Sequence, residues 1–383
     1  MSLWISNARL VTVAGVIDGN LHAEAGRIVA LGALRVPEGV RVVDAGNGWL
    51  LPGFIDVHVH GGVGREAMDA DPDGLRQLAR FYAEHGVTSF LPTTWTAPHE
   101  DIMAALETIA VVQQEGTGGA AILGAHVEGP YLNPARCGAQ DSRQIRRAGR
   151  DEALAILDTG IIRLLALAPE YPENHWLIDE CARRGVTVSA AHTAATYADM
   201  QQAVALGLSQ TTHTYNAMTG LHHREPGTLG AALTMDSISC ELIADNVHVH
   251  PAAMNLLYRA KGPDRTLLIT DAVRGAGLPE GTSYDQDGRP VVVRDGAAYL
   301  PGDTLAGSTL TMDRALRNFI AATGAPLEVV WPTTSRTAAR QLGLDGRKGS
   351  LEVGKDADLV LLDANLDVRL TVVGGQVVYE RES

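Results

Sequence analysis

Seven polar side chains of this sequence stand at or just after the ends of apolar runs, and their types suit metal binding or proton transfer. They are His58, His60, Glu128, His192, His213, His248 and Asp271. In the stretch FIDVHVH the two histidines are one residue apart, so on a strand they point to the same face. Neutral imidazoles held side by side are suited to zinc or a related divalent metal. The pattern therefore predicts a metal centre.

The candidate ligands separate into two sets. Glu128, His192 and His213 would supply the three protein ligands that a catalytic zinc site generally uses, leaving one position for water. His58 and His60 could hold a second ion that shares Glu128 as a bridge. We therefore expect one or two ions per chain, zinc first, with Fe²⁺, Mn²⁺ or Co²⁺ as alternatives.

Asp271, in the segment LLITDAV, is the candidate catalytic residue. A carboxylate at the end of a strand beside the metal can take a proton from the attacking water. His126 precedes Glu128 by two residues and would share its face of the strand. We assign His126 to packing or to support of the ligands.

The elements that must position these groups alternate along the chain. Strand-like runs occur at 53–59, 86–92, 120–127, 161–167, 186–191, 209–213, 239–244 and 265–270, and helical patterns such as PDGLRQLARFYAEHG and ENHWLIDECARRG separate them. Eight such units favour a TIM (β/α)8 barrel over an open doubly wound sheet, since no G-x-G-x-x-G follows the first strand. In a TIM barrel the chemistry gathers at the carboxyl ends of the strands, where the seven side chains fall.

Both chain ends read as short strands and turns. We expect residues 1–51 and 346–383 to build one small β-sandwich domain, interrupted by a barrel domain over 52–345. Gly374 and Gly375 are a predicted hairpin turn. The pattern of the stretch from 281 to 307 predicts a further β-hairpin. This hairpin could belong either to the small domain or to a loop of the barrel.

Composition excludes several classes of partner. With 31 basic and 45 acidic residues the net charge is −14, so we expect neither nucleic acid nor an anionic membrane surface as a partner. The N-terminal MSLWISNARLVTV lacks the pattern of a signal peptide, and no apolar run could span a bilayer. Cys137, Cys181 and Cys240 fit neither a disulfide framework nor a cysteine-rich zinc site. We expect a cytoplasmic protein with reduced thiols.

Seven motifs, in this order, carry a family resemblance: PGFIDVHVHG, HVEGPYLNP, AAHT, HTYNAM, REPG, TDA and LAGSTLTM. They resemble the amidohydrolase superfamily and, within it, the N-acetylglucosamine-6-phosphate deacetylases. The resemblance covers nearly the whole chain and implies a metal-dependent α/β barrel with a small β-sandwich. It also implies hydrolysis of a phosphorylated N-acetyl sugar in amino-sugar catabolism.

The resemblance further implies which residues hold the substrate. Arg224 matches an arginine that reaches the phosphate across a subunit interface, which implies a homodimer. The other matching positions contact the sugar or its phosphate: Ala139, Gln140, Asn216, Ala217, Asp245, His248, Leu305, Ala306 and Gly307.

Two positions depart from some relatives. Some members lack ligating residues where this chain has His58 and His60, and many carry at Gln140 a histidine that polarises the amide carbonyl. The motifs leave open a galactosamine-6-phosphate deacetylase, a D-aminoacylase or an adenine deaminase. A catalytically silent scaffold is the alternative from outside the enzymes.

Overall fold

The computed structural model describes residues 2–286 and 288–382. Its strands are β1 (Ser2–Thr12), β2 (Gly15–Glu24), β3 (Arg27–Gly32), β4 (Val42–Asp44), β5 (Trp49–Pro52), β6 (Phe54–Val59), β7 (Gly61–Gly62), β8 (Arg65–Glu66), β9 (Val87–Thr94), β10 (Ala121–Ile122), β11 (Ala125–Glu128), β12 (Ile162–Leu167), β13 (Thr187–Ala190), β14 (Gln210–Thr211), β15 (Ser239–Ile243), β16 (Thr266–Ile269), β17 (Ser283–Gln286), β18 (Arg289–Arg294), β19 (Ala297–Leu300), β20 (Thr304–Ser308), β21 (Leu359–Leu362), β22 (Val368–Val373) and β23 (Gln376–Glu380).

The helices are α1 (Pro72–Glu84), α2 (His99–Glu115), α3 (Arg150–Asp158), α4 (Pro172–Arg184), α5 (Tyr197–Leu206), α6 (Gly227–Thr234), α7 (Pro251–Lys261), α8 (Met312–Thr323), α9 (Leu327–Val330) and α10 (Arg336–Gln341). Short 3₁₀ turns occur at Ala67–Asp69, Pro134–Arg136 and Trp331–Thr334. Across residues 2–286 and 288–382, no helix is both long enough and apolar enough to cross a bilayer.

Eight parallel strands form a nearly closed barrel, which confirms the predicted α/β barrel. Their order is β6, β9, β11, β12, β13, β14, β15 and β16. Every residue of β6 and β9 is buried, as expected for parallel strands covered on both faces. The third predicted strand is interrupted, because Gly124 adopts a φ of +151° and a Cβ there would lie 2.4 Å from the Ile161 carbonyl oxygen.

The barrel closes between its first and last strands, next to the candidate site. Val59 pairs with Ala272 in a parallel bridge, and the Asp271 amide donates to the His58 carbonyl at 2.9 Å. Beneath this joint the Thr270 hydroxyl donates to the buried Asp56 carboxylate at 2.6 Å. Burial raises the pKa of Asp56 to about 7, although hydrogen bonds from Thr270 and His58 favour the ionised form.

Both chain ends contribute to one eight-stranded sheet. Its order is β23, β22, β21, β5, β1, β2 and β3, with β4 paired to β1. The antiparallel pair of β5 and β21 joins the two ends, with Leu51 opposite Val360. The turn between β22 and β23 is formed by Gly374 and Gly375, at φ +53° and +77°, as predicted.

The segment after the eighth barrel strand forms a separate antiparallel sheet of β17, β18, β19 and β20. This outcome supports the barrel-loop alternative, because the segment forms no strand pair with the chain ends among the described residues. Its apolar face, with Val291 and Ala298, packs with Trp95 and Ala139. This inserted sheet, β17 to β20, therefore forms part of the wall above the carboxyl ends of the barrel strands.

Candidate active site

Glu128 is the centre of the site. At the end of β11, its Oε1 lies 3.2 Å from Nε2 of His192 and 3.2 Å from Nε2 of His213. Those two nitrogens are themselves 3.2 Å apart. The three predicted ligands thus meet at one point although 85 residues separate Glu128 from His213.

The other carboxylate oxygen of Glu128 faces the second set. Its Oε2 lies 3.2 Å from Nε2 of His60 and 3.6 Å from Nε2 of His58. Asp271 Oδ1 lies 3.4 Å from each of the same two nitrogens. One group of three donors is therefore His58, His60 and Asp271, and the other is Glu128, His192 and His213, with Glu128 between them.

The histidine tautomers follow from what each Nδ1 meets. Nδ1 of His60 faces the Thr93 carbonyl at 3.2 Å, Nδ1 of His192 the Arg136 carbonyl at 2.9 Å, and Nδ1 of His213 the Asn216 carbonyl at 3.2 Å. A carbonyl oxygen can only accept, so each Nδ1 carries the proton and each Nε2 presents a lone pair.

These lone pairs converge with two carboxylates and repel one another unless a cation lies among them. An ion with tetrahedral bonds of about 2.0–2.1 Å spaces its ligands roughly 3.3 Å apart, which is close to the separations seen here. The donor set therefore fits a divalent metal. Imidazole and carboxylate are ligands that zinc and its neighbours in the first transition row accept.

The electrostatics agree with a site built for positive charge. Burial opposes ionisation of His58, but the carboxylates of Asp271, Glu128 and Glu241 raise its pKa well above the usual range. Burial also opposes ionisation of Glu128, yet His58, His192 and His213 hold its pKa well below normal. Bound metal would take the place of these protons.

Three of the functional residues lie in the left-handed region of backbone space. The φ values are +43° at His192, +31° at His213 and +48° at Asp271. Non-glycine residues rarely adopt this conformation, and doing so costs about 1–3 kcal/mol each. Here it turns the chain sharply as each strand ends and holds the side chains over the barrel mouth.

Gln140 is oriented by two contacts that sequence reasoning did not foresee. Its Oε1 accepts the Thr96 amide at 2.7 Å, so its Nε2 must face Glu128, to which it donates at 2.6 Å. Many relatives carry at this position a histidine that polarises the substrate carbonyl. In the structure the NH₂ group of Gln140 instead holds the shared carboxylate.

We therefore expect Gln140→Leu to weaken metal binding by roughly 10-fold, the lower end of the effect of losing a hydrogen bond to a metal ligand. Competition with a chromophoric chelator measures this affinity. Gln144→Leu, in the same loop and outside the cluster, is the matched control. Unchanged metal affinity in Gln140→Leu would show that Glu128 needs no such support.

A cavity of about 350 Å³ opens above the cluster. Seven of the predicted substrate residues line it: Ala139, Gln140, Asn216, Ala217, His248, Leu305 and Gly307. His248 is fixed by Asp245, whose Oδ2 lies 2.6 Å from its Nδ1.

Three predicted substrate residues do not line this cavity. Asp245 points its carboxylate at His248, and Ala306 packs into the apolar core of the inserted sheet. Arg224 lies on an exposed loop, where its Nη1 is 2.8 Å from Nε2 of His223.

Two residues of the site were not singled out from the sequence. Trp95 stacks on His60 with ring centroids 3.7 Å apart, and Glu241 lies 3.0 Å from Nδ1 of His58. Trp95 follows the second strand among other polar and small residues, and Glu241 looks like an isolated acid in an apolar strand. Neither had a local signal.

His126, assigned from the sequence, and Gly129, in the motif HVEGPYLNP, both support the site. His126 is buried edge-on against His58, with centroids 4.6 Å apart, which agrees with its assignment to packing. The glycine of the EGP motif, Gly129, has φ +80°, and a Cβ there would lie 2.1 Å from Thr96 Oγ1. Only glycine allows this loop to pass so close.

A parallel barrel that gathers four histidines and two carboxylates around one cavity defines a metal-dependent hydrolase of the barrel type. The chain belongs to the amidohydrolase family, whose family model matches residues 49–378.

The chain is also similar to known proteins over nearly its full length. The chain is 38% identical to the N-acetylglucosamine-6-phosphate deacetylase of Bacillus subtilis (strain 168), covering 99% of this chain and 97% of that one. It is 42% identical to the N-acetylgalactosamine-6-phosphate deacetylase of Escherichia coli O157:H7, covering 96% and 97%. A mutant N-acetyl-D-glucosamine-6-phosphate deacetylase from Mycobacterium smegmatis, solved with N-acetyl-D-glucosamine-6-phosphate, superposes with a TM-score of 0.91 at 32% identity, covering 99% of each chain.

Proposed function

We propose that this chain hydrolyses N-acetyl-D-glucosamine 6-phosphate to D-glucosamine 6-phosphate and acetate, a step of amino-sugar catabolism. The observation that carries the proposal is the pair of donor groups joined by Glu128 at the floor of one cavity. Full-length similarity to deacetylases of this substrate supports it.

The chemistry follows from the residues around the cavity. A bound divalent ion would polarise the acetyl carbonyl and make water a better nucleophile. Asp271, buried and beside His58 and His60, accepts the proton of the attacking water. It then returns that proton to the leaving amine, so that the amide bond breaks with a neutral sugar amine.

Zinc is the ion we propose, because the donors are four imidazoles and two carboxylates. Fe²⁺, Mn²⁺ and Co²⁺ suit the same donors. The two donor groups would hold one or two ions per chain, and Glu128, which lies between the groups, would be shared if two are bound.

The substrate roles rest on position in the cavity. Ala139, Asn216 and Ala217 line it on one side, and Leu305 and Gly307 line it from the inserted sheet. We propose that these residues contact the sugar, and that His248, held by Asp245, contacts the phosphate end. Ala306 supports the sugar wall from behind.

A second candidate substrate is N-acetylgalactosamine 6-phosphate, favoured by the 42% identity to the Escherichia coli enzyme of that name. The two sugars differ only in the configuration at one carbon. A panel of both 6-phosphates and of unphosphorylated N-acetylglucosamine, assayed with metal-reconstituted protein, separates them. Higher kcat/KM for the galacto substrate would replace our proposal by the second one.

We propose that the protein is a homodimer, and that Arg224 binds the phosphate group of the substrate held in the neighbouring subunit. It lies outside its own chain's cavity on an exposed loop, and Leu221 beside it is 54% exposed, as an interface residue would be in an isolated chain. With a net charge of −14, long-range attraction of a phosphate is unfavourable, so a short-range guanidinium contact is needed.

Arg224→Ala should weaken transition-state binding of the phosphorylated substrate by about 2 kcal/mol or more, the scale of a charge-assisted hydrogen bond. Slow turnover of unphosphorylated N-acetylglucosamine should be nearly unchanged. Kinetic constants for both substrates check this, with Arg259→Ala on α7 as a control for lost surface charge. Equal losses of kcat/KM on the two substrates would show that Arg224 does not bind the phosphate.

Subunit exchange tests the interface itself. A mixture of the impaired variants Arg224→Ala and Asp271→Asn should show more activity than either variant alone, since a mixed dimer has one site with both residues intact. Failure to complement despite proven exchange would place Arg224 in its own chain's site or outside the site.

We also propose that residues 1–51 and 346–383 form one small β-sandwich domain beside a catalytic barrel of 52–345. Pairing of Leu51 with Val360 and a separate apolar core that includes Leu10 and Leu370 support this division. A sugar phosphate does not cross a bilayer unaided, so we propose the cytoplasm as the place of the reaction.

A further inference from the structure

Glu241, on β15, is a buried carboxylate with contacts to both donor groups. Its Oε2 accepts from Nδ1 of His58 at 3.0 Å and from the backbone amide of His213 at 3.2 Å. Its Oε1 accepts from Nε2 of Gln210 at 2.6 Å. The residue is completely shielded from solvent.

The charge of Glu241 needs compensation inside the barrel. Among the described residues its ion-pair partner is His58, and neither lysine nor arginine pairs with it. An isolated ionised carboxylate in such a place is very costly. Positive charge on the His58 ring would offset this cost beyond what the hydrogen bonds from Gln210 and the His213 amide provide, and a bound cation on the opposite nitrogen would supply that charge.

His58 differs from the other three histidines in what its Nδ1 meets. His60, His192 and His213 each donate to a neutral backbone carbonyl, whereas His58 donates to a carboxylate. A carboxylate both fixes the tautomer and makes the opposite nitrogen a stronger ligand. Of the four histidines, His58 is therefore the one whose Nε2 a carboxylate partner can strengthen as a ligand.

We propose that Glu241 is a positioning residue for the metal position formed by His58, His60 and Asp271. It holds the His58 ring with Nε2 toward Glu128 and strengthens that nitrogen as a ligand. Through the amide of His213 it also fixes the strand end that carries a ligand of the other position. This inference rests on the proposed function only in that both require bound metal.

Two substitutions separate orientation from charge. Glu241→Met removes the acceptor and the charge while filling much of the space. Glu241→Gln keeps an acceptor for His58 and the His213 amide, because the Gln210 amide can rotate to accept from the new NH₂ group. Ser239→Ala, on the same strand, loses a hydrogen bond with Gln341 and no contact with the site, so it is the matched control.

The test is a titration of chelator-stripped protein with Co²⁺ alone, followed by visible absorption and by equilibrium dialysis. Wild-type protein and Ser239→Ala should bind two ions per chain. Glu241→Met should bind the second ion at least 10-fold more weakly, the lower end of the effect of losing a metal ligand's hydrogen-bond partner. Glu241→Gln should fall between them. In a His58→Ala background, Glu241→Met should cause no further weakening at the position that has lost His58, because Glu241 acts on that position through the His58 ring.

Several results would overturn the inference: one ion per chain in the wild type, unchanged affinity in Glu241→Met, or equal weakening in Ser239→Ala. If Glu241→Met does not fold, Glu241→Gln decides, and unchanged affinity for the second ion in that variant would overturn the inference. Two bound ions without turnover of phosphorylated sugars would reject the proposed function and leave this inference standing.

Discussion

His213→Ala should lose a bound metal ion and all measurable deacetylation together. Its Nε2 lies 3.2 Å from both Glu128 Oε1 and His192 Nε2, so the variant leaves two donors where a catalytic ion needs three. His192→Ala should behave in the same way. Elemental analysis and turnover of N-acetylglucosamine 6-phosphate, measured on the same preparation, check the pair of effects.

The control for His213→Ala is His175→Ala on α4. His175 donates to the Pro169 carbonyl at 2.9 Å and does not line the cavity. It should keep both metal and rate. Full metal content and full rate in either ligand variant would remove that residue from the centre. His58→Ala and His60→Ala should lose only a second ion, with partial loss of rate.

Asp271→Asn should slow hydrolysis by at least the 10²-fold typical of general acid–base catalysis. Asparagine keeps the size of the side chain but cannot take the proton of water. The ion held by Glu128, His192 and His213 should remain, because Asp271 belongs to the other donor group. Steady-state rates together with metal content distinguish this result from simple loss of metal.

The control for Asp271→Asn is Asp264→Asn, which removes a surface carboxylate paired with Arg336 and Arg340. Its rate should equal that of the wild type. Near-normal hydrolysis by Asp271→Asn would mean that another group moves the proton.

The barrel and its ligands could be predicted because their signals are local. Strands such as Phe54–Val59 and Ser239–Ile243 are short apolar runs, and parallel strands all bring their carboxyl ends to one rim. A polar residue at the end of such a run is placed by the fold alone. His192, His213 and Asp271 could therefore be located without any knowledge of their partners.

The support of the ligands could not be predicted, because it depends on pairs distant in sequence. Glu241 meets His58 across 183 residues, and the amide of Gln140 is oriented by Thr96, 44 residues away. The inserted sheet is similar, since its hairpins were visible in the sequence but the barrel mouth they cover was not. The assignment of Arg224 to a partner's phosphate came from resemblance and remains a prediction.

The most direct measurement is the release of acetate from N-acetylglucosamine 6-phosphate by purified protein before and after removal of metal. We expect one acetate and one primary amine per substrate consumed, no reaction after chelation, and recovery when Zn²⁺ or Co²⁺ is restored. Undiminished acetate release by protein shown by elemental analysis to be metal-free would contradict it, as would reconstituted protein that releases no acetate.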